Sequence, residues 1–320
     1  PIRCSFTDGL SPPILCRYKQ YHQLSQMPTM KLEYEDCGAA LGVRVTGVDL
    51  SAPLSASLVD ELRTAWMQKL VLVFPGQAIS DESHIAFGRQ FGELEVHASL
   101  AHRDSRNVEI YRVSNVDEQG QLIPPKDTSW QYLSQSWRWH TDSSFLEVPS
   151  IGSILHGIET TREGGNTRFC NLYAAYDDLS GDMKKHVKGL RVIHDHDFIL
   201  SLAPGLSEVE DKGEYVELPP VLHPLVRVHP VTGKRSLFVS PHTMVGIDGM
   251  NDGTGRALLD ELIDHATQPQ YIYTHVWTDH DIVMWDNRCV MHSVEPFDNT
   301  CIRRVMHRVT LRGEEAPIAA

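Results

Sequence analysis

The polarity pattern changes character along the chain. Up to about Thr29 no apolar period is visible, and the adjacent Pro12 and Pro13 interrupt any regular element. Residues 1–29 therefore read as an N-terminal extension, expected to be disordered, and residues 30–320 as a single domain. Val43, Val45 and Val48 mark short strands broken by Gly42 and Gly47. From Ser55 to Lys69 the residues Leu58, Leu62, Ala65 and Trp66 fall on one stripe, which predicts an amphipathic helix. Leu70–Phe74 is an apolar run of strand length ended by Pro75-Gly76. A second helix is expected from Ser80 to Gly92, with Asp81 and Glu82 at its positive end.

Short strands dominate thereafter. The candidates are Glu109–Ser114, Ile151–Ile158, Arg168–Leu172, Leu190–His194, Leu222–His229, Arg235–Ser240, Tyr271–Trp277, Asp281–Asp286 and Arg304–Arg312. Two helical stretches, Tyr173–Lys188 and Arg256–Thr267, interrupt them. Val116–Gln135 and Leu200–Pro219 are polar or Pro-rich without a period, as lids and disordered loops are. Many short strands and few helices predict a mainly β protein with flanking helices, a sandwich or barrel and not a parallel sheet. No internal repeat is visible.

Composition narrows the function. The net charge of −13 argues against nucleic-acid and anionic-membrane partners, which rely on excess Lys and Arg. The start of the chain lacks a secretory pattern and no apolar run is long enough for a bilayer, so the expectation is a cytoplasmic protein. The six cysteines show no C-x-x-C spacing and read as reduced thiols. Neither G-x-G-x-x-G after a strand nor G-x-x-x-x-G-K-[ST] occurs; the pair Gly164-Gly165 sits in a turn without a following Lys. Seventeen histidines make a metal site worth seeking.

The most informative stretch is Ser136-Trp137-Arg138-Trp139-His140-Thr141-Asp142. Placed on a strand, His140 and Asp142 would present an imidazole and a carboxylate to one point. Two histidines and one carboxylate leave three positions open on a divalent iron, the arrangement of O2-activating non-haem enzymes. H-x-D alone is weak, since most such triplets are surface turns. A second histidine is available in His292, although an isolated histidine is more often a satisfied core residue. Near it, Arg303-Arg304-Val305-Met306-His307-Arg308 alternates so that Arg304 and Arg308 share a face with Met306. Two arginines on a largely apolar strand are costly to bury without anionic partners. A dicarboxylate co-substrate would supply them; a salt-bridged outer strand is the competing reading.

The combination W-H-T-D, G-G-N-T, W-D-N-R-x-x-x-H and R-R-x-M-H-R resembles the taurine dioxygenase and 2,4-dichlorophenoxyacetate dioxygenase family, over about Met30 to Gly313. The resemblance implies a double-stranded β-helix (jelly-roll, cupin-like) core. It implies Fe(II) held by His140, Asp142 and His292, with 2-oxoglutarate and O2 as co-substrates. By the same resemblance Thr167 and Arg304 bind the distal carboxylate of 2-oxoglutarate. Arg308 faces the keto-acid end and the acidic group of the substrate, and His97 contacts that group as well. Asp142 sets the chain apart from halogenating relatives that lack this carboxylate. Leu100 and Ser136 stand where the taurine enzyme has Tyr and Asn, which argues against taurine itself.

The expected activity is hydroxylation of a small anionic organic substrate, such as an aryloxyalkanoate or related carboxylate with ether cleavage. Alternatives are an alkylsulfonate or sulfate-ester dioxygenase and a non-redox metal-binding jelly-roll protein. Members of the family are commonly homo-oligomers. Trp130 and Tyr132, in the 116–135 segment, are candidates to cover the substrate, and equally candidates for ordinary loop anchors.

Overall fold

The computed structural model describes residues 31–38, 40–97, 102–202 and 218–320. The extension at 1–29 and Leu100 lie outside the described residues, as does most of the 200–219 segment. The chain opens with strands β1 (Glu33–Asp36) and β2 (Val43–Thr46), then helix α1 (Ala56–Lys69). Ser55 caps α1 by accepting from Leu58 N, and Leu70 ends it in a left-handed conformation at φ 66°. Strand β3 (Val71–Phe74) follows, then α2 (Asp81–Arg89), capped by Ser80, with Asp81 and Glu82 in its first turn. After β4 (Tyr111–Arg112), a short helix α3 (Thr128–Leu133) and a 3-10 turn at Ser134–Trp137 order the end of the segment expected to be structureless.

Strands β5 (Gly152–Glu159) and β6 (Thr167–Asn171) come next. The helix expected over Tyr173–Lys188 is two helices, α4 (Leu172–Asp177) and α5 (Gly181–Val187), because Ser180 caps a new start by accepting from Met183 N. Then follow β7 (Arg191–His194), α6 (His196–Ser201), β8 (Val221–Pro224), β9 (Val226–Val228), β10 (Arg235–Leu237) and β11 (Met244–Ile247). Helix α7 (Asp252–Ala266) precedes β12 (Ile272–His275), β13 (Ile282–Asp286), β14 (Val290–Val294), β15 (Val305–Leu311) and β16 (Ile318–Ala319).

The largest sheet runs β1-β2-β3-β13-β5-β15-β4, and a three-stranded sheet β12-β6-β14 packs against it. The central strands of the large sheet are buried on both faces, so their sequences read as near-continuous apolar runs. Alternation still sorts them by face. Leu72, Phe74, Ile154, Ile282, Met284, Val309 and Leu311 point outward and pack on Leu62 and Trp66 of α1 and Phe87 of α2. Val71, Val73, Leu155, Val283, Trp285 and Met306 point inward against Phe169 of β6 and Val290 of β14. The functional cavity opens between these two sheets, lined by inward residues of β5, β6, β13, β14 and β15. Among the described residues no helix is long and apolar enough to cross a membrane, and Cys37, Cys170, Cys289 and Cys301 are free thiols.

Candidate active site

His292 lies inside β14, on the sheet facing the large one. Opposite it, His140 forms an isolated antiparallel bridge in which the two residues exchange both backbone hydrogen bonds at 2.8 Å. Directly opposed residues project their side chains to one side, and the imidazole rings stand 4.1 Å apart. The H-x-D motif is thus not the strand expected of it but a single bridge followed by a turn. That turn brings Asp142 Oδ2 to 3.8 Å from His292 Nε2. Ser143, immediately after, takes a positive φ of 54° and donates to Glu95, which fixes the turn. One candidate ligand atom from each of His140, Asp142 and His292 lies within 4.8 Å of the others, and all three residues are buried.

Their protonation states suit a divalent cation. Burial pushes both imidazoles below the usual histidine range, so both are neutral. His140 Nδ1 lies 2.9 Å from Arg138 O, which assigns the proton to Nδ1 and leaves Nε2 as a bare donor. Burial alone would raise the Asp142 carboxyl, but the charge of Arg308 and the hydrogen bond from the Ser153 hydroxyl outweigh it and hold the group well below the carboxylate range. Two neutral imidazoles and one anionic carboxylate on one wall of a cavity are a donor set that fits Fe(II).

Arg304 and Arg308 line the same cavity. Arg304 is 3% exposed, its Nε donates to Gly165 O at 3.1 Å, and its Nη2 is buried without a partner. Burial pushes its pKa down to about 10, with no carboxylate among the described residues to offset it. Arg308 lies over the Tyr111 ring at 4.7 Å and donates through Nη1 to Asp142 Oδ1. Thr167, the first residue of β6, accepts from Trp277 Nε1 at 3.0 Å, so its own hydroxyl proton can be donated into the cavity. The G-G of G-G-N-T has a steric purpose. Gly164 and Gly165 both have φ near +69° (69° and 68°), and a Cβ on Gly165 would stand 2.4 Å from Thr161 Cγ2 and 3.3 Å from Arg304 Nε.

His97 lines the cavity with its ring 4.3 Å from that of Tyr111. Burial, and then the charge of Arg308, push its pKa down to about 3, so His97 is a neutral donor. The positive charge beside it belongs to Arg308. The two aromatic residues of the 116–135 segment also separate. Trp130 packs on Trp137 and Phe297 as an anchor, whereas Tyr132 lines the cavity. Ser136 lines it too.

Several cavity residues carry no signal in the sequence. His242 stacks on His140 at 4.6 Å with its Nδ1 buried and unpartnered. It is placed by hydroxyls: Ser144 reaches Ser240 and Thr243 at 3.0 Å each, and Thr141 N donates to Ser240 Oγ at 3.1 Å. Phe145, Ile199 and Tyr111 complete the apolar wall. A second buried cluster, His229, Asp286 and Cys289, has ligand-like spacing but no open donor set. His229 Nε2 pairs with Asp286 at 3.0 Å and its Nδ1 accepts from Val231 N and Thr232 N. Burial, and then the charge of Asp286, raise the Cys289 thiol, so it stays protonated within this network.

Residues 33–310 match the family described as "Taurine catabolism dioxygenase TauD, TfdA family". An alpha-ketoglutarate-dependent 2,4-dichlorophenoxyacetate dioxygenase from Burkholderia sp. (strain RASC) is 37% identical over 86% of this chain and 93% of the relative. An (S)-phenoxypropionate/alpha-ketoglutarate-dioxygenase from Sphingobium herbicidovorans is 35% identical over 87% of this chain and 94% of the relative. Among solved structures, AAD-2 in complex with Mn(II) and N-oxalylglycine superposes with a TM-score of 0.80 at 32% identity, over 89% of this chain and 99% of that one. The chain therefore belongs to the TauD/TfdA family and is an iron- and 2-oxoglutarate-dependent dioxygenase.

Proposed function

We propose that this dioxygenase hydroxylates a small aryloxyalkanoate or a related aromatic carboxylate, and that an ether is cleaved when the hydroxylated carbon bears its oxygen. The observation that carries the reading is the content of one cavity. It joins the three-donor group, the Arg304 guanidinium with its unpartnered Nη2, the Arg308 cation and an aromatic wall of Tyr111, Tyr132 and Phe145. The relatives named for phenoxyalkanoates support the substrate class. The stacked sheets support a double-stranded β-helix, with residues 30–320 acting as one domain.

In this reading His140, Asp142 and His292 hold Fe(II), which when bound supplies O2 activation coupled to decarboxylation of the keto-acid. Arg304 and the Thr167 hydroxyl receive the distal carboxylate of 2-oxoglutarate; each charge-assisted bond contributes on the order of 1.5–3 kcal/mol. Arg308 neutralises the acid group of the substrate beside the metal, and the uncharged His97 imidazole adds a hydrogen bond to that anion. Tyr111, Tyr132, Phe145 and Ile199 exclude water and orient the ring. The overall reaction consumes substrate, O2 and 2-oxoglutarate and yields hydroxylated product, succinate and CO2. From an aryloxyacetate the product is a hemiacetal that collapses to a phenol and an aldehyde acid.

The test is succinate formation by Fe(II)-loaded protein with 2-oxoglutarate and O2, across phenoxyacetates, phenoxypropionates, alkylsulfonates, alkyl sulfates and aliphatic acids. Stimulation confined to the phenoxy acids is the expected result. Stimulation by sulfonates or sulfate esters alone would replace this substrate class, and metal binding without any succinate would refute the redox reading.

A further inference from the structure

Asp142 is held at both oxygens. Arg308 Nη1 donates to Oδ1, and the Ser153 hydroxyl donates to Oδ2 at 2.7 Å. Ser153 lies on the inward face of β5 and is 0% exposed. Behind it stands Asn287, also 0% exposed, whose Nδ2 is 3.1 Å from Ser153 Oγ and 3.0 Å from Ser150 Oγ. The side-chain oxygen of Asn287 in turn accepts from Trp285 Nε1 at 2.8 Å.

Donor chemistry gives this chain one direction. An indole N–H can only donate, so Asn287 must present its oxygen to Trp285, which settles the orientation of the amide. The amide nitrogen can only donate, so both serine hydroxyls accept from it and each keeps one proton to pass on. Ser150 Oγ faces the Asp142 main-chain carbonyl at 3.4 Å. Ser153 Oγ faces the carboxylate, which as an anion can only accept. No hydroxyl rotation reverses the order without leaving a buried donor facing a donor.

We infer that Trp285, Asn287 and Ser153 form a one-way hydrogen-bond relay that fixes the Asp142 carboxylate as a metal ligand, making Ser153 and Asn287 positioning residues. The inference rests on the reading of Asp142 as a ligand. It also gives the W-D-N motif two separate duties: Asp286 ties His229 to Arg288 in a closed structural network, while Trp285 and Asn287 serve the metal. Outer-shell partners of this kind typically change metal affinity 10–100-fold when removed.

The experiment titrates metal-free protein with Co(II), following the visible ligand-field absorption, and compares melting temperatures with and without the metal. Wild type, Asp142→Ala, Ser153→Ala, Asn287→Asp and the Ser153→Ala/Asn287→Asp double variant are measured. Asn287→Asp is nearly isosteric but replaces the amide donor by an acceptor, so it draws the Ser153 proton away from Asp142. Ser153→Ala and Asn287→Asp are each expected to weaken Co(II) binding at least tenfold and to shrink the metal-induced rise in melting temperature. The double variant should be no weaker than the poorer single one. If both singles bind within about twofold of wild type while Asp142→Ala does not bind, the relay is refuted and the ligand assignment stands. A lower melting temperature without metal, at unchanged affinity, equally refutes it, because the network would then be structural only. If Asp142→Ala binds like wild type, the ligand assignment itself fails and the inference with it.

Discussion

Arg304 makes a prediction with two opposite signs. Its guanidinium is 3% exposed, keeps one main-chain hydrogen bond to Gly165, and leaves Nη2 unpartnered. The fall in its pKa from 12.5 to about 10 comes from burial alone. At about 1.4 kcal/mol per unit, this places the electrostatic cost of the charge in the ligand-free protein at roughly 3 kcal/mol. Arg304→Met keeps most of the volume and removes the charge. Loss of the Gly165 hydrogen bond returns about 1 kcal/mol, leaving a net stabilisation of about 2 kcal/mol and a melting temperature raised by a few degrees. The same variant loses the charge-assisted bonds to the distal carboxylate, on the order of 3 kcal/mol, so the KM for 2-oxoglutarate should rise about a hundredfold. Scanning calorimetry without ligand and succinate assays at graded 2-oxoglutarate measure the two effects. A variant that melts lower than wild type, or one with unchanged KM for the keto-acid, would refute the reasoning. Metal affinity should not move, because Arg304 touches none of the three proposed ligands.

Three further outcomes are expected. Thr167→Val removes one neutral hydroxyl from the same carboxylate and should raise the KM for 2-oxoglutarate about fivefold to tenfold, with the KM of the prime substrate unchanged. Gly165→Ala, at φ 68° with Cβ 2.4 Å from Thr161 Cγ2, should destabilise the protein measurably in urea and raise the KM for 2-oxoglutarate, because the loop must move away from Arg304. On the outer face of the large sheet, His84 is pushed down to about 3 by burial and then by His156, and His156 to about 4 by burial and then by His280. Both are neutral in the folded protein but titrate near 6.5 when unfolded. Stability is therefore complete above about pH 6.5 and falls as the pH drops toward 4, by about 2 kcal/mol per histidine at pH 5. Urea unfolding of metal-free His156→Leu should show a shallower loss between pH 7.5 and pH 5 than wild type; parallel slopes would sink this account.

What could be read in the sequence follows what the physics makes periodic. The central strands were legible because β5, β13 and β15 alternate between two buried faces, and helices α1 and α2 because Ser55 and Ser80 announce them. The stretch Leu222–His229 misled, since periodicity cannot show a chain changing sheets. Leu225, fully buried, donates to Leu190 O and accepts from Phe238 N, so the residues before it pair with β7 and those after it with β10. H-x-D misled in the same way: two residues on one side need not be a strand, and here a bridge and a left-handed Ser143 do the same work.

The candidate site divides along a chemical line. A divalent metal and a dicarboxylate accept few residue types, and they accept them only where strands or bridges oppose one another. His140, Asp142, His292, Thr167 and Arg304 therefore stand in motifs, and the family resemblance those motifs carry, not spacing alone, points to their roles. The wall that meets the substrate has to supply only shape and a dry surface, which Tyr111, Phe145, Ile199 or His242 can provide from strand, helix or loop alike. Substrate choice is consequently written in cavity geometry and not in motifs. The relay behind Asp142 lies between these extremes. Trp285 and Asn287 stand in a motif, but Ser153 is one serine in an apolar strand, and only the fold reveals that it faces a carboxylate. Fine control of the metal thus depends on a residue that no spacing rule singles out.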